Sequence, residues 1–175
     1  GQQVEEADDW LRNGSPWELP RPELRYPVGL GGSVIADGAG RRWLPAEHLF
    51  ADAYDFIVPG HATERVAVLR QWKSHPTRPI DFAAFSRGDI ASAGGAKLAA
   101  DAINWVLYPD DSTHAGRELR LKQEYFLVSA SLQDIIAHHL ADYGRLDSLG
   151  DKVAIHLNDT HPALAVPELL RILID

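Results

Sequence analysis

Hydrophobic and polar residues alternate with a period of two over the first half of the chain, and the spacing becomes helical in the second half. Leu24, Tyr26, Val28 and Leu30 alternate with Arg25, Pro27 and Gly29. That pattern predicts a half-buried strand near a sheet edge, where Pro is tolerated. Residues 33–36 and 41–44 flank Asp37-Gly38-Ala39-Gly40, the chemistry of a hairpin turn. Two more strands are expected at residues 53–58 and 65–72, with Pro59-Gly60 turning between them. The block reads as antiparallel. Gly29-Leu30-Gly31-Gly32 is followed by no helix, so it reads as a strand bend or bulge and not as a phosphate-cradling loop.

From about Asp89 the period changes. Residues 91–107 are Ala-rich and predict a helix, softened at Gly94-Gly95 by about 1 kcal/mol per Gly relative to Ala. Tyr108-Pro109-Asp110-Asp111-Ser112-Thr113 then breaks it with turn formers. Leu121, Tyr125, Val128, Leu132 and Ile135 recur at four, three, four and three, which predicts a core-facing helix over 116–140. Val153-Ala154-Ile155-His156-Leu157 reads as a short buried strand running into Asn158-Asp159-Thr160-His161-Pro162. A final helix follows, with Asp159 or Thr160 as N-cap and Pro162 in its first turn. A short acidic helix at residues 5–11, stopped by Asn13-Gly14-Ser15-Pro16, completes the reading. The fold class is α/β, with residues 1–88 β-rich and 89–175 helical around one short strand. In such folds ligands bind beyond the carboxyl ends of strands, which draws attention to residues 158–161.

Composition narrows the function. A chain of 175 residues with 45% hydrophobic and 24% charged positions fits one ordinary domain. The net charge of −8 and the lack of a Lys/Arg stripe argue against nucleic acid. No apolar run approaches the roughly 18 residues of a membrane span, and the Gln-Gln-Val-Glu-Glu start is no secretory leader. A cytoplasmic protein is expected. Without Cys there are no disulfides and no thiolate chemistry. Without Met, and with Leu169 to Asp175 ending on no capping residue, the chain reads as an excised piece of a longer protein.

Three features carry candidate chemistry. Asp110 and Asp111 are adjacent in a turn, an arrangement better suited to solvated turn residues than to an acid/base pair. His156, Asp159 and His161 have ligand types for Zn or Fe(II), which keeps a metal-dependent hydrolase open as an alternative. The same loop also suits capping, or a polar site in which Asn158, Asp159 and His161 hydrogen-bond a sugar. Tyr108 offers an aromatic face to a sugar ring or covers core. His138-His139 lies at the far end of the long helix, where solvated or half-buried His is the default. A stand-alone glucan-binding module is the non-enzyme alternative.

Three blocks, Glu5-Glu6-Ala7-Asp8-Asp9-Trp10-Leu11-Arg12, Leu107-Tyr108-Pro109 through Arg120-Leu121-Lys122-Gln123-Glu124-Tyr125-Phe126, and Leu157-Asn158-Asp159-Thr160-His161-Pro162, resemble glycogen/α-glucan phosphorylases of the bacterial type. They occur in the same order and at compatible spacing across essentially the whole chain. The resemblance implies a segment internal to the amino-terminal lobe of a two-lobed, Rossmann-like glycosyltransferase B enzyme. It implies phosphorolysis of terminal α-1,4-linked glucose, from glycogen or maltodextrin, to glucose 1-phosphate. Pyridoxal phosphate assists in that family, held by a lysine of the other lobe that has no counterpart here, so this piece alone is expected to be inactive.

Position by position, the resemblance places Asp159 and His161 along the substrate cleft near the leaving sugar, with Asn158 on the same loop. It places Tyr108 as a ring stacked on the glucan, Asp111 on the gating loop and Arg120 beside it. Ser112 stands where many members have Asn. Residues 89–107 match the helix that crosses the interface of a homodimer. Animal members grip AMP with two arginines after Asp-Ile-Ile; here Asp134-Ile135-Ile136 is followed by Ala137 and His138.

Overall fold

The computed structural model describes residues 17–38 and 40–174. The helix expected at residues 5–11, its stop at Asn13-Gly14-Ser15-Pro16, and Ala39 of the hairpin turn lie outside the described residues.

The alternating half forms five strands: β1 (Glu18–Leu30), β2 (Ser33–Asp37), β3 (Gly40–Leu44), β4 (Glu47–Pro59) and β5 (Val66–Pro76). β1, β4 and β5 make one antiparallel sheet in the order β1-β4-β5, and β2 and β3 form a separate hairpin. β1 is thus an edge strand, as its prolines require, and its pairing with β4 slips between Arg21 and Arg25. Val28 faces Leu49 and Ala53 faces Trp72 across the ladders. β4 starts six residues before its expected position because its inward positions are faint as a hydrophobic signal. Ala51 and Ala53 are small and Asp55 is charged, yet all three are buried. Between β1 and β2 the chain bends at Gly31 and Gly32, with φ of 60° and 89°. A Cβ on Gly32 would lie 2.0 Å from the Leu44 carbonyl oxygen, so the glycine-rich run is a bend forced by close backbone approach.

The second half supplies α1 (Phe82–Ser86), α2 (Ile90–Trp105), α3 (His114–Tyr143), α4 (Leu149–Lys152), a 3-10 turn (His161–Leu164) and α5 (Ala165–Ile174). Asp89 caps α2 by accepting from the Ser92 N–H, and the helix runs unbroken through Gly94-Gly95. Thr113 caps α3 through the Gly116 N–H, and Gly144, at φ 70°, ends it in the left-handed conformation. α3 is buried on two sides. Phe126 and Ala130 pack with Val28, Trp72, Ala100 and Ile103 in the main core. Val128 and Leu132 pack with Ala165 of α5. The buried arc is therefore displaced from the simple stripe: Leu121 is 53% exposed, and Ile136 is buried where Ile135 is only half-buried. Leu121 instead walls an apolar cavity of about 360 Å³ shared with Leu30, Trp43, Tyr125, Leu164 and Arg171.

Two buried carboxylates tie the layers together. Asp55 accepts from Arg70 Nε at 2.5 Å and from Arg21; Arg70 reaches on to Asp134 of α3 at 2.8 Å, and Tyr26 donates to the same carboxylate at 2.9 Å. Burial and the Asp134 contact push the Tyr26 hydroxyl up to about 12. Glu168 of α5 accepts from Arg171, Ser129 Oγ (2.6 Å) and Tyr125 Oη (2.9 Å). Burial works to raise both carboxyls, but the arginines and hydroxyls outweigh it and hold both below the usual range.

The expectation of a short buried strand at residues 153–157 is corrected. This segment runs without regular structure and is largely exposed, with Ile155 and Leu157 39% and 38% accessible. A segment of four apolar residues and one histidine forms a strand only beside another strand's free edge, and none of the five described strands pairs with it. His139 also departs from a solvated reading: it is 3% exposed, with Nδ1 unpartnered, while His138 is exposed. The observed class is mixed α/β with antiparallel sheets.

Candidate functional site

The loop between α2 and α3 is folded back on the first turn of α3. Asp110 accepts from the Ser112 N–H and hydroxyl, each at 2.9 Å. These bonds hold its carboxyl below the usual carboxylate range and make it a turn-former, as its position suggests. The Asp110 carbonyl lies so close to α3 that a Cβ on Gly116 would sit 1.6 Å from it. Arg117 then reaches back to the carbonyls of Asp111 and Ser112 at 3.2 and 3.3 Å. Tyr108, at φ 55°, occupies the left-handed region that an aromatic residue rarely adopts.

One turn further along α3, Arg120 gathers most of the residues singled out from the sequence. Its guanidinium lies 5.7 Å from the Tyr108 ring centre and 3.4 Å from Asp111 Oδ2. Its Nε faces Glu124 Oε1 at 3.3 Å, and its Nη2 lies 2.7 Å from His161 Nε2. A guanidinium only donates, so Nε2 is the acceptor and the neutral ring carries its proton on Nδ1. That Nδ1 lies 3.2 Å from Asp159 Oδ2. Asp159 in turn accepts from the Thr160 N–H at 2.6 Å, which with the nearby imidazole holds its carboxyl below the usual range. Thr160 occupies the N-cap position of the 3-10 turn, but its side chain makes no capping bond.

Tyr108 and Asp111 of one loop, Arg120 of α3, and Asp159 and His161 some forty residues further on thus meet. Ser112 joins only through Asp110 and Arg117, and Asn158 is exposed. Sequence reasoning missed two members. Glu124 is legible only as an i, i+4 partner of Arg120, and Arg117 as a basic residue one turn below it. His156 is exposed and does not join Asp159 and His161; among the described residues no group of three such side chains is placed to hold a metal.

The sequence profile of the carbohydrate phosphorylases matches residues 1–175 throughout. The chain belongs to that family. It is 51% identical over all 175 residues to the glycogen phosphorylase of Haemophilus influenzae, of which it covers 21%, and 50% identical to that of Pasteurella multocida, again covering 21%. It is 45% identical over 183 aligned positions to the human liver form of glycogen phosphorylase, covering 22% of it. This carbohydrate phosphorylase chain therefore spans about a fifth of the length of these relatives. No helix among the described residues is long and apolar enough to cross a membrane.

Proposed function

We propose that the chain supplies one wall of the glucan cleft of a glycogen/α-glucan phosphorylase, which releases glucose 1-phosphate from the non-reducing end of an α-1,4-glucan by phosphorolysis. The observation that carries the reading is the linked set Arg120–His161–Asp159. It presents an aromatic ring, an imidazole and carboxylates at one place, an inventory matched to hydroxyl groups. Two carboxylates, Asp111 and Glu124, face one guanidinium there, and a third, Asp159, lies against the far side of the His161 ring. That excess of negative charge suits a neutral sugar and repels inorganic phosphate, so the anionic substrate is bound elsewhere in the parent enzyme. In the parent, Tyr108 stacks on the glucan, Asp111 and Ser112 belong to the gating loop, and Asn158 turns its amide towards the sugar.

The reading places residues 1–175 inside the amino-terminal Rossmann-like lobe of a glycosyltransferase B enzyme, cytoplasmic and homodimeric, with α2 at the subunit contact. Family membership favours pyridoxal phosphate as the parent's cofactor, where its phosphate supplies a proton-transfer partner. The residues present do not fit its anchor. Of the four lysines, Lys73, Lys97 and Lys122 are ion-paired to Glu18, Asp101 and Glu118, and Lys152 lies by Tyr143. None stands in the Arg120–His161 cluster.

The test compares the parent enzyme with the isolated chain. Glucose 1-phosphate release from maltoheptaose is expected from the parent alone, and a dialysed sample of the chain given pyridoxal phosphate should keep no cofactor absorbance. Turnover or stoichiometric cofactor in the isolated chain would overturn the reading.

A further inference from the structure

We infer that Glu124 is a positioning residue for His161, acting through Arg120; the inference rests on the assignment of Arg120, Asp159 and His161 to the glucan cleft. The Asp111 carboxylate, the Glu124 carboxylate and the neutral His161 ring compete as acceptors for the Arg120 guanidinium. A guanidinium pairs more strongly with a carboxylate, above all in the two-pronged geometry, than with an imidazole. Left to itself, Arg120 would turn wholly to Asp111, whose side chain is 61% exposed on its loop and free to follow.

Glu124 prevents this because of where it stands. It lies one helical turn beyond Arg120 on the same rigid helix, with both side chains only 23% exposed. Its Oε1 takes the Nε edge of the guanidinium at 3.3 Å. The group is planar, so fixing Nε fixes the directions of Nη1 and Nη2. Nη1 then faces Asp111 at 3.4 Å and Nη2 faces His161 Nε2 at 2.7 Å. The second contact decides the tautomer. With Nε2 accepting, the ring proton sits on Nδ1 and points at Asp159 Oδ2. Glu124 itself is 3.9 Å from Nε2, beyond hydrogen-bond reach, so it acts on the ring through Arg120. Removing it lets the guanidinium turn, frees Nε2, and leaves the ring proton without a fixed direction.

The experiment uses the full-length parent enzyme with steady-state rates across a glucan titration, together with thermal melts. Glu124→Ala is expected to raise the glucan KM about tenfold, with a smaller change in kcat and little change in Tm. Glu124→Gln, which keeps an oxygen towards Arg120 Nε, should recover most of that loss. Placed in a His161→Ala background, Glu124→Ala should add less than about twofold, because the ring it positions is gone. Should Glu124→Ala not accumulate as folded protein, Glu124→Met keeps the stem's packing and enters the same cycle. An unchanged KM for the Glu124 variants, or a full-sized extra loss in the His161→Ala background, overturns the inference while leaving the cleft assignment in place. His161→Ala alone with wild-type glucan kinetics would instead sink the cleft assignment, and this inference with it.

Discussion

Arg120 Nη2 stands 2.7 Å from His161 Nε2, and because arginine cannot accept a proton, that single contact fixes where the histidine's own proton resides. His161→Ala in the parent enzyme removes the ring and leaves the guanidinium and Asp159 without their shared partner. A loss of about 1–3 kcal/mol in transition-state stabilisation is expected. It is read as the ratio of kcat/KM for glucan between variant and wild type. Asp159→Asn should lose in the same direction, and Tyr108→Ala should raise the glucan KM with kcat less affected, since a ring supplies stacking and no proton.

Gly116 is the tightest point of the site. Its missing side chain admits the Asp110 carbonyl, and a Cβ would lie 1.6 Å from that oxygen. Gly116→Ala therefore displaces the loop or the first turn of α3. A destabilisation of about 2–4 kcal/mol is expected, despite the better helix propensity of Ala. Urea unfolding of wild type and variant side by side measures it; an unchanged midpoint would contradict the close approach.

Acid should unlock the buried carboxylates. Glu168 and Asp55 both have folded-state acidities held below the ordinary range. Each therefore contributes stability that is fully present above its unfolded value of about 4 and disappears as the pH falls through the lower folded value. The unfolding midpoint should be flat near neutrality and fall steeply below about pH 4. Glu168→Ala removes the buried acceptor shared by Arg171, Ser129 and Tyr125 and should cost about 3–5 kcal/mol at pH 7. It should also make the acid limb shallower, which a pH series of unfolding curves will reveal.

The far end of α3 carries a prediction about regulation. Ala137 and His138 occupy the positions that resemble the AMP-gripping arginines of animal phosphorylases, and both are exposed. His138 Nδ1 lies 2.8 Å from the Asp134 carbonyl, and Ala137 has no donor. Neither reproduces a bidentate fork. The parent enzyme is expected to be insensitive to AMP, with initial rates at sub-saturating phosphate unchanged across an AMP titration. A severalfold activation would refute this.

The hairpin, the long helix and the antiparallel block were legible because each is written locally: Asp37-Gly38 in a turn, the four-and-three spacing of Leu121, Tyr125, Val128 and Leu132 along α3, alternation along β1. β4 was half-legible, since Ala51, Ala53 and Asp55 are buried by neighbours that a short window does not contain. Val153–Leu157 misled for the converse reason: its apolar pattern is strand-like, but pairing is a property of a neighbour, and none of the described strands runs alongside. Of the site, the loop residues could be named from their chemistry and their resemblance. Glu124 and the tautomer of His161 could not, because they depend on which way one guanidinium is turned.

The tether of α3 to the sheet at Asp134 has a mechanical meaning. Arg70 and Tyr26 clamp that residue from two strands, while Arg120 rides the same helix fourteen positions earlier, roughly 21 Å away at the helical rise of about 1.5 Å per residue. A rod pinned at one point and loaded at another is a lever. Pivoting by roughly two degrees at Asp134 sweeps Arg120 through roughly 0.7 Å, which would stretch the 2.7 Å contact to about 3.4 Å, past good hydrogen-bond range. The clamp on the sheet therefore sets the mechanical tolerance to which the histidine is aimed.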